Sequence, residues 1–279
     1  MTAAGAHVRG AGFSHLGRRR RQEDRWAVAE VGGLAIGAVA DGMSQPPGVG
    51  STGLGPASAP SASDVIAELA VSTFVEVTSR RIEAHDGPEA AVRAGFEAAR
   101  EATARVGASG AAAFVGACLT ADGTLSLVKV GDCRAFADFG DGLLVRATTE
   151  DDADRSGALT AWLGASPTGA RASAPTPEPV IVRRGCRALV LASDGVWRTL
   201  AAGASPPGEA PFVVARELVT GARRAGETDN LAAVVLAVTA PERASSLAAR
   251  VSTTMLVVAA LLFFVAGLVA ASLIPEGWR

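Results

Sequence analysis

The apolar and polar positions of this chain change period several times, and each change marks an expected element. Short apolar-rich runs at Arg25–Val31 and Leu34–Ala40 flank Gly32-Gly33, which predicts a two-stranded hairpin. Gly48–Ala62 is dense in Gly, Pro, Ser and Ala and reads as a loop. A helix is expected next, capped by Ser63 or Asp64 and running to about Ala84, with Val65, Ile66 and Leu69 on its apolar side. Pro88 suits the first turn of a second helix, whose Val92, Phe96, Ala99, Thr103 and Val106 recur at three- and four-residue steps. Beyond Gly110 the pattern becomes that of strands, at Ala113–Leu119, Thr124–Val130, Arg134–Phe139 and Leu143–Ala147. Asp122-Gly123, Gly131-Asp132 and Gly140-Asp141-Gly142 separate them as turns. Asp151–Pro179 is polar and rich in Pro and Ala, with one short helix expected around Leu159–Leu163. Strands return at Val180–Val182 and Ala188–Ala192, followed by a helix at Pro211–Arg224 and a last strand at Leu231–Val238. Runs of strands, then helices, then strands predict antiparallel α+β layering rather than alternating βαβ units.

One segment departs from all of this. Val251–Pro275 spans 25 residues without a charge and includes MLVVAALLFFVAGLVAASLI. About 20 apolar residues rising 1.5 Å each cross a hydrocarbon core. A transmembrane helix is therefore expected over 251–274, with a linker at 241–250 and one large domain at 8–240. Residues 1–24 hold no signal-type apolar run, because Arg18-Arg19-Arg20-Arg21 leads into a polar stretch.

Composition narrows the chemistry. A formal net charge of −2 supplies no global field for nucleic acid. Cys118, Cys133 and Cys186 are far apart with no C-x-x-C pair, which argues against a zinc cluster or a disulfide framework and for buried, reduced thiols. His7, His15 and His85 are the only histidines, and none has a catalytic setting. Lys129 is the only lysine; with the abundant alanine, this reads as codon composition. Catalysis, if present, has to run on carboxylates, arginine and backbone.

Acidic islands stand at the edges of apolar strands: Arg19…Glu23-Asp24, Ala40-Asp41-Gly42-Met43, Ser193-Asp194-Gly195-Val196-Trp197 and Asp229-Asn230-Leu231, with Val130-Gly131-Asp132-Cys133-Arg134 between two strands. Singly, each has an ordinary explanation as a turn, a cap or a solvated face. Together, carboxylates at the ends of several strands can converge on one spot, and hard oxygen ligands there suit Mg²⁺ or Mn²⁺. Two such ions can share a water, lower its pKa and aim it at phosphorus. An arginine beside them can hold phosphate oxygens bidentately.

In this order the islands resemble the motifs of the Mg²⁺/Mn²⁺-dependent protein serine/threonine phosphatases of the type 2C class, over about residues 8–239. RRRQED is similar to the family's arginine-then-acidic-pair motif, AVADGM to its strand-Asp-Gly motif, and VGDCRAF to its Gly-Asp-Ser-Arg motif. LVLASDGVW and TDNLAAVVL resemble its Ser-Asp-Gly motif and its Asp-Asn strand. The resemblance implies an αββα sandwich with two central antiparallel sheets. It implies Arg19 as the phosphate-binding catalytic residue, and Glu23, Asp41, the Gly42 carbonyl, Asp194 and Asp229 around two Mg²⁺ or Mn²⁺ ions. Asp24 would stand behind these ligands, and Asp132 is the candidate for a weaker third ion. The implied activity is hydrolysis of phosphoserine or phosphothreonine on phosphorylated proteins, by a water activated at a two-metal centre. The alternative is a membrane-tethered pseudophosphatase that binds phosphoproteins or regulates a partner. Three departures stand out: Ser44-Gln45-Pro46-Pro47 opens a longer loop, the stretch between Asp132 and Asp194 leaves a reduced flap, and Ala111-Ala112-Ala113 replaces a Gly-Thr-Thr.

The tail gives an expectation independent of any family. Arg243 and Arg250 flank it on the N-terminal side, while Glu276, Trp278 and Arg279 follow it. That bias favours a single pass through the cell membrane with the large domain cytoplasmic, lipid held by the helix and Trp278 at the far interface. The full-length chain should remain in the membrane pellet after carbonate extraction, whereas a 1–245 fragment should be soluble; release of the full-length chain would refute the anchor.

Overall fold

A computed structural model describes residues 6–43, 61–106, 110–149, 159–164, 180–200 and 210–239. The elements in order are β1 (His7–His15), β2 (Asp24–Val31), β3 (Leu34–Met43), α1 (Ala62–Glu83), α2 (Pro88–Ala104), β4 (Ala111–Leu119), β5 (Leu125–Val130), β6 (Arg134–Asp138), β7 (Val145–Arg146), β8 (Leu163–Gly164), β9 (Ile181–Arg183), β10 (Ala188–Ala192), α3 (Asp194–Trp197), α4 (Pro211–Arg224) and β11 (Leu231–Thr239). The expected linker at 241–250 and transmembrane helix at 251–274 lie outside the described residues. Among the described residues no helix is long and apolar enough to cross a membrane.

Two antiparallel sheets form the centre. One has the strand order β1-β11-β10-β6-β7 and the other β2-β3-β4-β5-β9, with β8 paired to β4. The period-2 geometry of a strand sends successive side chains to opposite faces, and here both faces of the central strands are covered. In β3 and β4, Ile36, Ala38, Ala40, Phe114 and Cys118 turn to a core shared with Ile66, Ala70, Phe74, Val92 and Phe96 of α1 and α2. Their alternates Ala35, Val39, Ala113, Val115 and Ala117 meet Leu189, Leu191, Val234 and Leu236 of the other sheet. A third core packs Val214, Ala215, Val219 and Ala222 of α4 on the outer face of β10 and β11. Helix, sheet, sheet and helix thus stack as four layers. Burial on both faces explains why AAAFVGACL shows no polar alternation and yet is a strand, buried at every residue.

The hairpin forms as the pattern predicts, with Gly32 and Gly33 at φ 59° and 83°, the positive values that a tight two-residue turn needs. The cysteines are free and buried, and burial pushes the Cys118 and Cys186 thiols up to about 12.

One strand goes unmarked by the hydrophobic pattern, and three local expectations are corrected. β1 was not expected, because its Gly and His residues hide the strand pattern; its nine residues pair throughout with β11. The N-cap of α1 is Ser61, whose Oγ accepts from the Asp64 N–H at 3.0 Å, while Ser63 donates instead to the Met43 carbonyl at 2.6 Å. The buried stripe of α1 is Ile66, Ala67, Ala70, Val71, Phe74, Val75 and Thr78, and Val65 is exposed. Near Leu159–Leu163 there is no helix: Leu163 pairs with Ala112 and Gly164 with Ala111. The ladder between β4 and β5 ends at Phe114–Val130, so this end of β4 had open backbone groups for β8 to take.

Phe74 shows how α1 is docked. It is wholly buried, meets Phe114 edge-on at 5.3 Å, and lies over Gly116, where a Cβ would stand 2.7 Å from the ring. Phe74→Ala in a 1–245 fragment should lower unfolding free energy by about 3–5 kcal/mol in a denaturant titration; a loss below about 1 kcal/mol would refute this packing.

Candidate active site

Strand register brings the acidic islands to one end of the sandwich. Asp24, first residue of β2, stands opposite Asp41 near the end of β3. β10 runs antiparallel to both β6 and β11, so Asp132 before β6, Asp194 after β10 and Asp229 before β11 arrive together. A cleft of about 320 Å³ is lined by Arg19, Glu23, Asp41, Gly42, Asp132, Asp194 and Asp229, with Met43, Leu159 and Asn230. Asp24 lies behind its wall, 2% exposed, where its carboxylate accepts from the Ser193 hydroxyl at 2.6 Å.

Most of these side chains have an identifiable partner. Glu23 accepts from Ser61, the cap of α1, and its backbone N–H donates to Asn230 Oδ1 at 2.8 Å. Asn230 Nδ2 donates to the carbonyls of Leu16 and Arg21, both at 2.9 Å, so this one amide ties the start of β11 to the arginine-bearing loop. Arg25 donates to the carbonyls of Gln22 and Asp24 at 2.7 and 3.0 Å and pairs with Asp64 and Glu68 on α1. Arg19 pairs with Asp229 at 2.7 Å, and Arg198 with Asp194 at 2.5 Å. Gly42 is required by close approach, because a Cβ there would stand 2.8 Å from the Glu23 carbonyl oxygen and 3.0 Å from that of Ser63.

The carboxyl groups strongly perturb one another. Burial pushes Asp41 well above the usual carboxylate range, and Asp24, Asp194, Asp132 and Asp229 add like-charge repulsion. Asp24 is raised to about 7, chiefly by burial and against the Ser193 hydroxyl. Asp194 is raised by burial, against the opposing pull of Arg198. The Asp229 hydrogen bond holds the Arg19 guanidinium all the more firmly protonated.

The donor set fits a hard divalent cation in kind. Every candidate ligand is an oxygen, and Asp194 Oδ1 is buried with no hydrogen-bond partner. Among the described residues, no three His, Cys, Asp or Glu side chains stand close enough to hold an ion between them.

All the residues singled out from sequence thus lie in or directly behind one cleft. Sequence reasoning missed the residues that hold them: Ser193, Arg25, and Asn230 as the tie between strand and loop. Their only signal was adjacency to a selected acid. The altered loop after Met43, and residues 150–158 and 165–179 of the stretch between Asp132 and Asp194, lie outside the described residues. Ala111-Ala112-Ala113 is the buried start of β4.

No protein-family model matches the chain, and no curated protein sequence does. Solved structures match. A C. elegans sex determining protein is 18% identical with a TM-score of 0.64, over 85% of this chain and 66% of that one. The Mycobacterium tuberculosis serine/threonine phosphatase PstP/Ppp is 21% identical with a TM-score of 0.58, over 82% and 98% of the two chains. The catalytic domain of serine/threonine protein phosphatase PstP, solved with two manganese ions, is 21% identical with a TM-score of 0.56, over 84% and 99%. The chain therefore has the mixed α+β fold, with two antiparallel sheets, of the PPM-type serine/threonine phosphatases.

The carboxyl cluster gives a pH-dependent expectation for the metal-free protein. Raised folded-state values mean that the folded form keeps protons that the unfolded chain releases. Their contribution to stability is therefore intact below about pH 4 and is lost as pH climbs toward about 7. In a metal chelator, the thermal midpoint of a 1–245 fragment should fall between pH 5 and 8. Asp41→Asn should flatten that fall; an equally steep fall in the variant would refute the coupling.

Proposed function

We propose that this chain is a metal-dependent protein serine/threonine phosphatase held at the cell membrane by its C-terminal apolar segment. The observation that carries the reading is the meeting of Arg19 with Asp41, Asp132, Asp194 and Asp229 in one cleft, at the end of a sandwich with the PPM-type fold. Asp41, the Gly42 carbonyl, Asp194 and Asp229 would hold two Mg²⁺ or Mn²⁺ ions. Glu23 is taken as a further ligand, and Asp132 as the ligand of a weaker third. Bound there, the ions would neutralise the carboxylates and lower the pKa of a bound water. Support for the cation comes from the solved PstP domain with two manganese ions and from carboxyl groups whose burial and mutual repulsion disfavour their charged forms.

The chain's own residues do the positioning. Arg19 is half-exposed at the mouth of the cleft, and its guanidinium pairs with Asp229. An entering phosphoryl group offers the same fork a bidentate partner, and a cation on Asp229 would release the arginine to take it. Asp24, buried on Ser193, fixes the place of Asp41 without reaching the substrate. Phosphoserine or phosphothreonine on a protein is the substrate class, by likeness to the serine/threonine phosphatases that share the fold.

The alternative reading, a membrane-tethered pseudophosphatase, keeps the same cleft for phosphoprotein binding without turnover. One assay separates the two. The 1–245 fragment should hydrolyse phosphothreonine peptides with Mn²⁺ and lose that activity in chelator. Arg19→Ala should raise KM about tenfold or more, the scale of a charge-assisted bidentate contact, with Mn²⁺ affinity little changed. Phosphopeptide binding without turnover at any Mn²⁺ concentration would establish the pseudophosphatase instead.

A further inference from the structure

The only lysine of the chain is one of its most deeply buried residues. Lys129 is 1% exposed and belongs to β5, on the same face as Leu125 and Leu127, which lie in the core between the sheets. Burying an ammonium among apolar side chains is unfavourable unless its hydrogens are used. Arginine serves at all 25 other basic positions (26 basic residues in total, one of them lysine), so a composition that elsewhere replaces lysine has not done so here.

Lys129 Nζ donates to the Gly131 carbonyl at 3.1 Å. That carbonyl belongs to the turn that carries Asp132 into the cleft. The next carbonyl, that of Asp132 itself, accepts from Trp197 Nε1 at 2.9 Å. The turn is pressed against β4: Gly131 has φ 84°, and a Cβ on it would stand 2.6 Å from Ala113 Cβ. Two consecutive carbonyls are thus gripped from different sides, by β5 within the core and by α3 beside the cleft.

We propose that Lys129 is a positioning residue for the acidic cleft: its ammonium holds the Gly131–Asp132 turn so that Asp132 presents its carboxylate to a divalent cation. The inference rests on the reading of Asp132 as the ligand of the weaker ion, and its test separates the two. Mn²⁺ would be titrated calorimetrically into the full-length chain in detergent, alongside Lys129→Met, Lys129→Arg and Asp132→Asn. Lys129→Met should weaken the weakest Mn²⁺ site roughly tenfold, the scale found when the partner of a metal ligand is removed. Lys129→Arg, which keeps a donor, should retain more binding, and Asp132→Asn should weaken the same site. Wild-type Mn²⁺ binding in Lys129→Met, with loss in Asp132→Asn, would overturn the role of Lys129 alone. Unchanged binding in Asp132→Asn would overturn the ligand reading itself. Should Lys129→Met not fold, Lys129→Gln, neutral and shorter, carries the same comparison.

Discussion

Asp24 and Asp41 face each other on one rung of the β2–β3 hairpin, with Asp194 near enough to add like-charge repulsion to both, and the rest of this end of the molecule is arranged around that repulsion. Carboxylates withdrawn from water are unstable as anions unless protons, cations or donors compensate them. Apart from Arg198, which pairs with Asp194 one helical turn away, each compensation here is a contact between different elements. Ser193 comes from the end of β10, Arg198 from beyond α3, Arg19 from the loop after β1, and Arg25 joins β2 to α1. The acidic cluster and the tertiary assembly of the sandwich therefore depend on each other.

The sandwich tolerates such a cluster because its interior is otherwise apolar and doubly covered. Central strands buried on both faces keep their register by packing alone, since a slip of one residue would exchange the helix-facing and sheet-facing sets. Glycine sets the clearances where backbones or rings come closest. At Gly42 the neighbouring carbonyls of Glu23 and Ser63 leave no room for a side chain, and at Gly116 the ring of Phe74 takes that room. A rigid frame of this kind lets a few side chains, rather than loops, determine where charge is placed.

Lys129 extends the same logic beneath the cleft. A buried ammonium bonded to the Gly131 carbonyl and an indole bonded to the next one make the position of Asp132 a property of the core. Trp197 is itself stacked under Arg134, 3.2 Å from the ring centroid, so cation, ring and turn form one packed unit at the edge of the site.

The sequence by itself determined much of this. Hydrophobic period marked the hairpin, α2, α4 and most strands, because those elements bury one face or end at turn-forming residues. The acids that line the cleft were legible because each follows or precedes an apolar strand, and strand ends are where an antiparallel sandwich can gather charge. What only the tertiary structure decided are the features without a local signal. β1 exists because β11 offers it a full ladder, and β8 because β4 outruns β5. Ser61 rather than Ser63 caps α1 because the Met43 carbonyl claims the other hydroxyl. The partners that hold the acids, Ser193, Arg25, Asn230 and Lys129, could not be read from periodicity either. A hydrogen bond between residues some 170 or 210 positions apart leaves no pattern in either local sequence, and only the packing of the two sheets brings its ends together.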